Sequence, residues 1–342
     1  MSLYDVARRM LFLLDPETAH EVSLDMMSAS ERLKLIGLLK PSFRANKKTV
    51  MGLQFPNPVG LAAGMDKNGD HFNALGGLGF GFIEIGTVTP VAQAGNEQPR
   101  LFRLPEHQAI INRMGFNNKG VDYLVNQVRN HRRFDGVLGI NIGKNKLTAD
   151  EDALSDYQTC MDKVYDVADY IAINISSPNT PGLRGLQFGD ALDRLIAGIA
   201  DKAKQLADDY SKKVPIAVKL APDTDDEGLK FIADTLQKYQ MDGVIATNTT
   251  VSRSAVSGHK FADEAGGLSG KPLTQMSTEV IAKLRSYLGE AMPIIGVGGI
   301  ENADDAKAKI DAGADLLQVY SGFIYRGPAL IKDVNAAFDP AA

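Results

Sequence analysis

The chain has 342 residues, of which 44% are hydrophobic and 23% are charged, and these proportions are typical of a globular protein with a large apolar core. The 37 basic and 42 acidic side chains give a net charge of −5, which argues against a nucleic-acid-binding protein because phosphate neutralisation requires a basic surface. The single cysteine, Cys160, excludes an internal disulfide, and the scattered histidines show no metal-binding spacing, so no metal site is expected.

Two amphipathic helices are predicted before residue 40. Apolar residues recur every three or four positions over Leu3–Leu14, and the same spacing resumes after Pro16, over Val22–Ile36. These helices either pack on the main domain or lie on a membrane surface, because Leu, Met and Phe beside basic residues suit the lipid interface. No apolar run reaches the roughly 18 residues of a transmembrane helix, and the first residues lack a secretory signal pattern, so a cytoplasmic location is expected.

From residue 59 onward, short apolar runs alternate with helical patterns. Such alternation predicts parallel strands covered by helices, and eight repeats favour a (β/α)8 barrel over a doubly wound sheet, the main alternative. The predicted strands are Val59–Ala62, Phe82–Thr87, Val137–Asn141, Tyr170–Ile175, Ile216–Leu220, Gly243–Thr247, Ile294–Val297 and Leu316–Tyr320. The prediction is therefore an α/β fold, a (β/α)8 TIM barrel over residues 46–342 with an N-terminal helical extension over residues 1–45.

Two long inserts interrupt this alternation, Pro90–Phe116 after the second predicted strand and Thr249–Pro272 after the sixth. Both follow the carboxyl ends of strands, where barrels carry their active sites, so we interpret them as walls or lids of a site. The glycine-rich stretch Gly76–Phe82 runs into a strand and does not open a helix after one. We therefore interpret it as a tight helix-to-strand connection and not as a dinucleotide-binding turn.

Polar side chains gather at the carboxyl ends of the predicted strands. This set consists mainly of amides, hydroxyls and two lysines, Lys67 and Lys219. It contains almost no carboxylates, and Asp66 is the exception. Asparagine offers a donor and an acceptor without the desolvation cost of a charge, so converging asparagines suit a planar ring edged with N–H and C=O groups, such as a pyrimidine or a flavin. The asparagines concerned are Asn112, Asn141, Asn174, Asn179 and Asn248.

Glycines after the seventh predicted strand, including Gly298 and Gly299, occupy the position where barrels hold a phosphate on backbone N–H groups, which predicts a phosphate-bearing cofactor. Lys219 ends an apolar strand and requires a partner. That partner is either the N1/O2 edge of a reduced flavin or a substrate carbonyl captured as a Schiff base, so a flavoenzyme and an aldolase or isomerase barrel both stay open. A third alternative is a non-catalytic membrane-surface binding protein, with the barrel as its scaffold.

Sequence motifs spread over nearly the whole chain are similar to those of one enzyme family. In order they are LAAGMDKNG (Leu61–Gly69), IEIGTVTP (Ile83–Pro90), INRMGFNN (Ile111–Asn118), GINIGKN (Gly139–Asn145), INISSPNTPGLR (Ile173–Arg184), ATNTT (Ala246–Thr250), GGLSG (Gly266–Gly270), IIGVGGI (Ile294–Ile300) and YSGF (Tyr320–Phe323). Together they resemble class 2 dihydroorotate dehydrogenase, the quinone-dependent flavoenzyme of pyrimidine synthesis.

The resemblance implies a reaction. FMN would bind at the mouth of the barrel, where dihydroorotate is oxidised to orotate by passing a hydride to the flavin, and the electrons would then pass to ubiquinone or menaquinone. The resemblance makes Ser177 the base that removes the substrate proton. Related class 1 enzymes have cysteine at this position, whereas the only cysteine here, Cys160, lies elsewhere, so the serine points to class 2. A serine is a poor base in water, so the loop Pro178–Gly185 is expected to act as a lid.

The resemblance also implies which residues contact each ligand. The substrate-binding residues are Lys67, Asn112, Arg113, Met114, Gly115, Phe116, Asn174, Asn179, Asn248 and Thr249. The FMN-binding residues are Ala63, Gly64, Met65, Asp66, Lys67, Thr87, Asn141, Asn174, Lys219, Thr247, Gly270, Gly299, Tyr320 and Ser321. Residues 1–45 would form the mouth of a quinone tunnel and rest on the cytoplasmic side of the inner membrane as a peripheral element, with the quinone near His20, Arg100 and Tyr320.

Overall fold

The computed structural model describes residues 3–44 and 46–339. The structure does not describe residues 1, 2, 45 and 340–342, which stand at the ends of the two predicted domains. It also does not describe the side chain of Leu3, which belongs to the apolar pattern predicted over Leu3–Leu14. The α-helices are α1 (Leu3–Leu11), α2 (Pro16–Arg32), α3 (Phe72–Gly77), α4 (Val121–His131), α5 (Ala153–Val164), α6 (Gly189–Tyr210), α7 (Asp226–Lys238), α8 (Thr274–Leu288), α9 (Ala303–Asp311), α10 (Ser321–Arg326) and α11 (Ala329–Ala336). The strands are β1 (Lys48–Val50), β2 (Leu53–Phe55), β3 (Val59–Leu61), β4 (Phe82–Val88), β5 (Leu101–Leu104), β6 (Ala109–Asn112), β7 (Val137–Ile142), β8 (Tyr170–Asn174), β9 (Ile216–Leu220), β10 (Gly243–Ala246), β11 (Gly267–Gly270), β12 (Ile294–Val297) and β13 (Leu316–Val319).

A closed parallel barrel forms the centre of the structure. Its strands follow the order β3, β4, β7, β8, β9, β10, β12 and β13 around the barrel, which is also their order in the chain. Every residue of these strands is buried, as expected for parallel strands that have helices on one side and a packed interior on the other. The predicted (β/α)8 barrel is confirmed, and the predicted strand ends differ from the observed ones by at most one residue.

The amino end of the barrel is closed by a β-hairpin that the sequence reasoning missed. Strands β1 and β2 pair through a turn at Met51 and Gly52, both of which have positive φ angles (51° and 76°). Phe55, at the end of β2, is fully buried, and its ring packs edge-on against that of Phe82 with centroids 5.1 Å apart. The signal was Gly52 between two short alternating runs, because hairpin turns favour glycine at positive φ.

The two inserts form one small antiparallel sheet over the barrel. Strands β5 and β6 belong to the first insert, and β11 of the second insert pairs with β6, so that Gly267 lies opposite Asn112. This sheet places the end of β6 beside the carboxyl ends of the barrel strands, and it serves as a wall of the cavity there. The glycine-rich stretch connects α3 to β4, in agreement with its interpretation as a helix-to-strand connection.

The N-terminal helices pack against the barrel. The side chain of Asp15 accepts the backbone N–H groups of Glu17 and Thr18 and so caps α2, whereas α1 already ends at Leu11. The apolar pattern predicted over Leu3–Leu14 therefore continues for about one turn beyond the end of α1. The Tyr4 hydroxyl donates to the main-chain oxygen of Ile324 in α10 at 2.7 Å, and this contact ties α1 to the last unit of the barrel.

Candidate active site

A cavity of about 1000 Å³, including open space at its mouth, lies at the carboxyl ends of the barrel strands. Strand ends form its floor, and the sheet of β5, β6 and β11 contributes to its wall. Most of the residues predicted to contact substrate and FMN line this cavity, although they are far apart in the sequence. They are Ala63, Gly64, Lys67, Thr87, Asn112, Met114, Gly115, Phe116, Asn174, Ser177, Asn179, Lys219, Thr247, Asn248, Thr249, Gly270, Gly299, Tyr320 and Ser321.

A chain of hydrogen bonds fixes the amides and hydroxyls on the cavity floor. Thr87 Oγ1 donates to Asn141 Oδ1 at 2.6 Å, and Asn174 Nδ2 donates to Thr87 Oγ1 at 2.9 Å. Asn174 Oδ1 accepts the Ser176 hydroxyl at 3.0 Å, and Asn248 Nδ2 donates to that same hydroxyl oxygen at 2.9 Å. Because each side chain has a partner on a neighbouring segment, these polar groups hold a fixed orientation before any ligand binds.

Ser177 lies in the cavity wall and is buried. Its hydroxyl oxygen accepts the backbone N–H of Asn179 at 3.2 Å, which leaves the hydroxyl hydrogen available for another acceptor. The side chain of Asn179 donates to the main-chain oxygen of Asn112 at 3.1 Å and so joins the segment after β8 to the first insert. The serine is thus held by Asn179, which lines the same cavity.

Arg184 holds the loop Pro178–Gly185, the predicted lid, against the barrel. Its guanidinium donates to the main-chain oxygens of Ser176 at 3.0 Å and Thr249 at 2.8 Å, and it pairs with the carboxylate of Asp223 at 2.8 Å. Charge-assisted hydrogen bonds of this kind are stronger than neutral ones. The loop therefore covers one side of the cavity in a position fixed by three separate segments of the chain.

A glycine turn after β12 forms the opposite end of the cavity. Gly298 and Gly299 have φ angles of +117° and +69°, and a Cβ at Gly299 would lie 2.5 Å from the backbone nitrogen of Thr274. The Thr274 hydroxyl donates to the Gly299 carbonyl at 2.6 Å, and the Ser277 hydroxyl donates to the Gly298 carbonyl at 3.0 Å. Lys309 donates to Ser277 Oγ at 2.5 Å from behind the turn, and burial lowers the pKa of this lysine to about 7. The turn is thus rigid and admits only glycine.

Lys219 has a negative partner inside the barrel, and this corrects the expectation that a ligand supplies it. Its ammonium lies 3.7 Å from Oε1 of Glu84, whose side chain is fully buried. The same oxygen accepts Asn141 Nδ2 at 2.7 Å, while Oε2 accepts the Tyr170 hydroxyl and Gln318 Nε2, both at 2.9 Å. An imine would require the neutral amine, and Lys219 is instead part of an ion pair.

The sequence reasoning overlooked Glu84 and Gln318. Gln318 lines the cavity, and its buried Oε1 has no hydrogen-bond partner among the residues that the structure describes. An unpaired buried acceptor is costly, so this atom is suited to accept a hydrogen bond from a ligand N–H. The sequence does contain a signal for Glu84, which is a charged residue within an otherwise apolar strand. A side chain of a barrel strand points either into the barrel interior or towards the surrounding helices, so a carboxylate there is buried on either side.

Asp66 does not line the cavity. Its carboxylate accepts four backbone N–H groups, among them those of Gly69 at 2.9 Å and His71 at 2.7 Å, and burial raises its pKa against the effect of these donors. It therefore fixes the loop that carries Lys67. Met65 also lies outside this cavity and lines a second one beneath α2.

Arg113 and Asn141 are the other predicted ligand residues that do not line the cavity. Arg113 pairs with Glu264 at 2.5 Å, and its guanidinium lies over the ring of Phe102, 4.7 Å from the ring centre. It thus braces the second insert against the first. Asn141 lies one layer below the cavity floor, where it connects Thr87 above to the carboxylate of Glu84 below.

The second cavity, of about 1880 Å³ including open space, lies between α2 and the loop after β3. Lys67 and Met114 line both cavities, so they form the partition between them. His20 and Glu17 of α2 line the second cavity only. Burial lowers the pKa of Lys67 to about 8 despite the nearby Glu17, and burial together with the Lys67 charge lowers the pKa of His20 to about 3.

Arg100 lies beside this second cavity. It pairs with Glu17 at 2.6 Å and donates to the main-chain oxygen of Ala94 at 2.7 Å, which connects α2 to the first insert. Tyr320 lines the first cavity, with its hydroxyl 3.4 Å from the main-chain oxygen of Gly64. The structure therefore brings His20 and Arg100 together around Glu17 and places Tyr320 on the other side of the partition.

The N-terminal helical segment exposes many large apolar side chains. Leu13 is 86% exposed and Leu38 is 82% exposed, values at which a leucine has almost no protein contact. The exposed side chains of this segment are Val6, Met10, Leu13, Leu14, Val22, Met26, Leu33, Leu35, Leu38 and Leu39. Within residues 3–44 and 46–339, none of the helices has the length and apolar character needed to cross a membrane.

Fold and cavity together define the class of this protein: a (β/α)8 barrel whose strand ends form a preorganised polar site for small molecules. Comparison with known proteins then narrows the class. The family model described as dihydroorotate dehydrogenase matches residues 45–339. A relative from Saccharophagus degradans named dihydroorotate dehydrogenase (quinone) is 62% identical, over 99% of this chain and 100% of its own, and one from Marinomonas sp. with the same name is 58% identical, over 98% and 97%.

Solved structures agree with the sequence comparison. The crystal structure of DHODH from Eimeria tenella in complex with ferulenol superimposes on this chain with a TM-score of 0.85 at 36% sequence identity. The match covers 94% of this chain and 90% of the Eimeria tenella chain. The chain belongs to the dihydroorotate dehydrogenase family.

Proposed function

We propose that the protein oxidises dihydroorotate to orotate in pyrimidine (UMP) biosynthesis, with FMN as the primary electron acceptor and a membrane quinone as the final one. The observation that carries this proposal is that three features line one cavity: Ser177, the amides of the floor, and the glycine turn at Gly298 and Gly299. Relatives named for this activity with quinone cover nearly the whole chain. Neither a Schiff-base aldolase nor a non-catalytic binding protein is favoured, because the family is that of a dehydrogenase and Lys219 is ion-paired with Glu84.

The residues of the cavity fit FMN. Gln318 Oε1 is a buried acceptor that needs a donor, as a flavin N–H would provide. The turn at Gly298 and Gly299 lines the cavity with main chain that no side chain covers, as suits the close approach of a phosphate. The residues proposed to hold FMN are those predicted residues that line the cavity: Ala63, Gly64, Lys67, Thr87, Asn174, Lys219, Thr247, Gly270, Gly299, Tyr320 and Ser321. When bound, FMN supplies a two-electron acceptor for a hydride from the substrate.

The chain itself supplies orientation and proton transfer. Asn112, Asn179 and Asn248 would hold the pyrimidine ring through its N–H and C=O groups. Their side-chain amides already have hydrogen bonds: Asn179 Nδ2 donates to Asn112 Oδ1, and Asn248 Nδ2 donates to Ser176 Oγ. Ser177 would take the proton from the substrate carbon, and its oxygen is held by the N–H of Asn179. The loop Pro178–Gly185, anchored by Arg184, would exclude water from this proton transfer.

Residues 1–45 are proposed to be the membrane and quinone-access segment, with residues 46–342 as the catalytic barrel. The exposed leucines and methionines of this segment suit insertion into a lipid surface, as a peripheral element on the cytoplasmic side of the inner membrane. Ubiquinone or menaquinone would approach His20 and Arg100 beneath α2. It would receive electrons from FMN across the partition formed by Lys67 and Met114, near Tyr320.

Replacement of Ser177 by alanine tests the proposed base. The variant should retain FMN but lose a factor of about 10² to 10⁴ in the rate of flavin reduction by dihydroorotate, which is the usual contribution of a general base. Ser177→Cys is the matched control, because a thiolate can also accept the proton, and we expect it to recover part of the rate. Full turnover by the alanine variant would remove Ser177 from this role.

A further inference from the structure

The ion pair between Glu84 and Lys219 lies directly under the cavity, but only one of its members reaches the cavity. Lys219 and Gln318 line the cavity, whereas Glu84 is sealed beneath them with a fully buried side chain. The lysine thus faces the ligand space above and the carboxylate below. Whatever charge a ligand experiences from this lysine depends on the carboxylate behind it.

Four polar partners among the described residues stabilise the negative charge of the Glu84 carboxylate. Asn141 donates to one oxygen, and Tyr170 and Gln318 donate to the other, while Lys219 is the nearby cation. A buried charge without a partner is strongly destabilising, so each member of the pair offsets the charge of the other. The floor of the cavity consequently presents much less positive charge than an isolated lysine would.

The charge under a flavin determines how readily it holds electrons. The flavin gains two electrons and one proton when it accepts a hydride, which leaves the reduced ring with a negative charge that a nearby cation stabilises. A counter-charge on that cation weakens this stabilisation and favours release of the electrons to the next acceptor. The interior of the barrel has a low effective dielectric constant, so the effect is not screened by water.

We propose that Glu84 is a positioning residue that limits the positive charge Lys219 presents to FMN, and that it thereby lowers the two-electron reduction potential of the bound flavin. This inference rests on the proposed function, and it adds to it a reason why electrons that arrive from dihydroorotate pass on to quinone. Glu84 contacts neither substrate nor flavin and acts through Lys219.

The test is the reduction potential of the FMN-loaded protein, measured anaerobically by equilibration with a reference dye. In Glu84→Gln, the equilibrium between flavin and dye should shift at least tenfold towards reduced flavin, which corresponds to a potential higher by about 30 mV for a two-electron couple. Tyr170→Phe is the matched control, because it removes a hydrogen bond to Glu84 but keeps the charge, and its potential should stay close to that of the wild type. Equal potentials in Glu84→Gln and the wild type would overturn the inference.

A second comparison covers the case in which Glu84→Gln does not fold. Lys219→Met and the double variant Lys219→Met/Glu84→Gln differ only in the carboxylate, and the double variant lacks both buried charges. Because Glu84 acts through Lys219, removal of the carboxylate should have no effect once the lysine is absent, so the two variants should have equal potentials. A potential that is at least tenfold higher in the dye equilibrium for the double variant would overturn the inference. The wild type separates the two proposals: failure to take up FMN refutes the proposed function, whereas a wild type that is reduced by dihydroorotate, together with an unshifted Glu84→Gln variant, refutes this inference alone.

Discussion

At the scale of single residues, the barrel brings polar groups to the cavity, and pairing with distant segments determines where some of their side chains point. Asn174 is the last residue of a barrel strand and Thr247 directly follows one, so the fold alone brings them to the cavity. Arg113 occupies a similar position, yet its side chain is drawn away by Glu264, which is 151 residues distant in sequence. Such a pairing depends on how the two inserts meet, and no local pattern specifies it.

Glu301 provides a test of buried charge. Neither of its carboxylate oxygens has a hydrogen-bond partner in the described part of the chain, and burial followed by the nearby Asp305 raises its pKa to about 8. The unfolded chain loses this proton near pH 4.5 and the folded protein keeps it up to about pH 8. The folded state therefore binds more protons in this window, and the free energy of unfolding falls as pH rises through it.

Glu301→Gln should remove this pH dependence. At pH 5 the variant and the wild type should differ little, and at pH 8 the variant should be more stable by about 2–4 kcal/mol, since each pKa unit corresponds to about 1.4 kcal/mol. Urea unfolding at both pH values measures the difference. Glu290→Gln, at an exposed carboxylate, is the control and should show no such change. A variant that is no more stable than the wild type at pH 8 would contradict the interpretation.

At the scale of elements, periodicity predicted both N-terminal helices and every barrel strand, because each has a continuous apolar face or run. It did not predict the sheet of β5, β6 and β11. Those strands are four residues long, and they pair between two inserts that are distant in sequence, as Leu268 does with Ile111. Pairing between inserts is set by the barrel that brings them together, so no local pattern specifies it.

The exposed leucines of the N-terminal segment make its proposed membrane role testable. Leu13→Asp/Leu38→Asp should weaken binding to phospholipid vesicles more than about tenfold, because burying each leucine in lipid is worth about 1.5–3 kcal/mol. Reduction of a long-chain quinone in vesicles should fall with it, while reduction of a water-soluble dye stays unchanged. Leu147→Asp, at a leucine that is 97% exposed outside this segment, is the matched control. Equal vesicle binding by both variants would argue against a membrane role.

At the scale of the whole molecule, the site exists because the barrel closes with a tightly filled interior. A Cβ at Gly139 of β7 would lie 2.1 Å from the Tyr170 ring, and one at Gly60 of β3 would lie 2.3 Å from the Phe82 ring. These glycines let large side chains from neighbouring strands fill the barrel below the cavity. The closed barrel was predictable from eight repeats, but this matching of glycine to aromatic ring depends on register between strands.

Gly139→Ala tests this packing. The added methyl group must displace the buried Tyr170 ring, so we expect a loss of about 1–3 kcal/mol in the free energy of unfolding, measured by chemical denaturation. Gly37→Ala is the control, because a Cβ there has no atom within 4 Å. Because Tyr170 also donates to Glu84, the packing defect should lower FMN retention as well. Unchanged stability in Gly139→Ala would show that the barrel interior is looser than the structure indicates.

The most direct test of the whole account is anaerobic addition of dihydroorotate to the purified full-length protein, followed through its visible absorption spectrum. The account predicts a yellow protein with stoichiometric FMN, whose flavin absorption is bleached by dihydroorotate as an equal amount of orotate forms, and whose colour returns when a quinone is added. A protein that neither contains nor takes up FMN, or whose bound flavin stays oxidised in the presence of dihydroorotate, would contradict it.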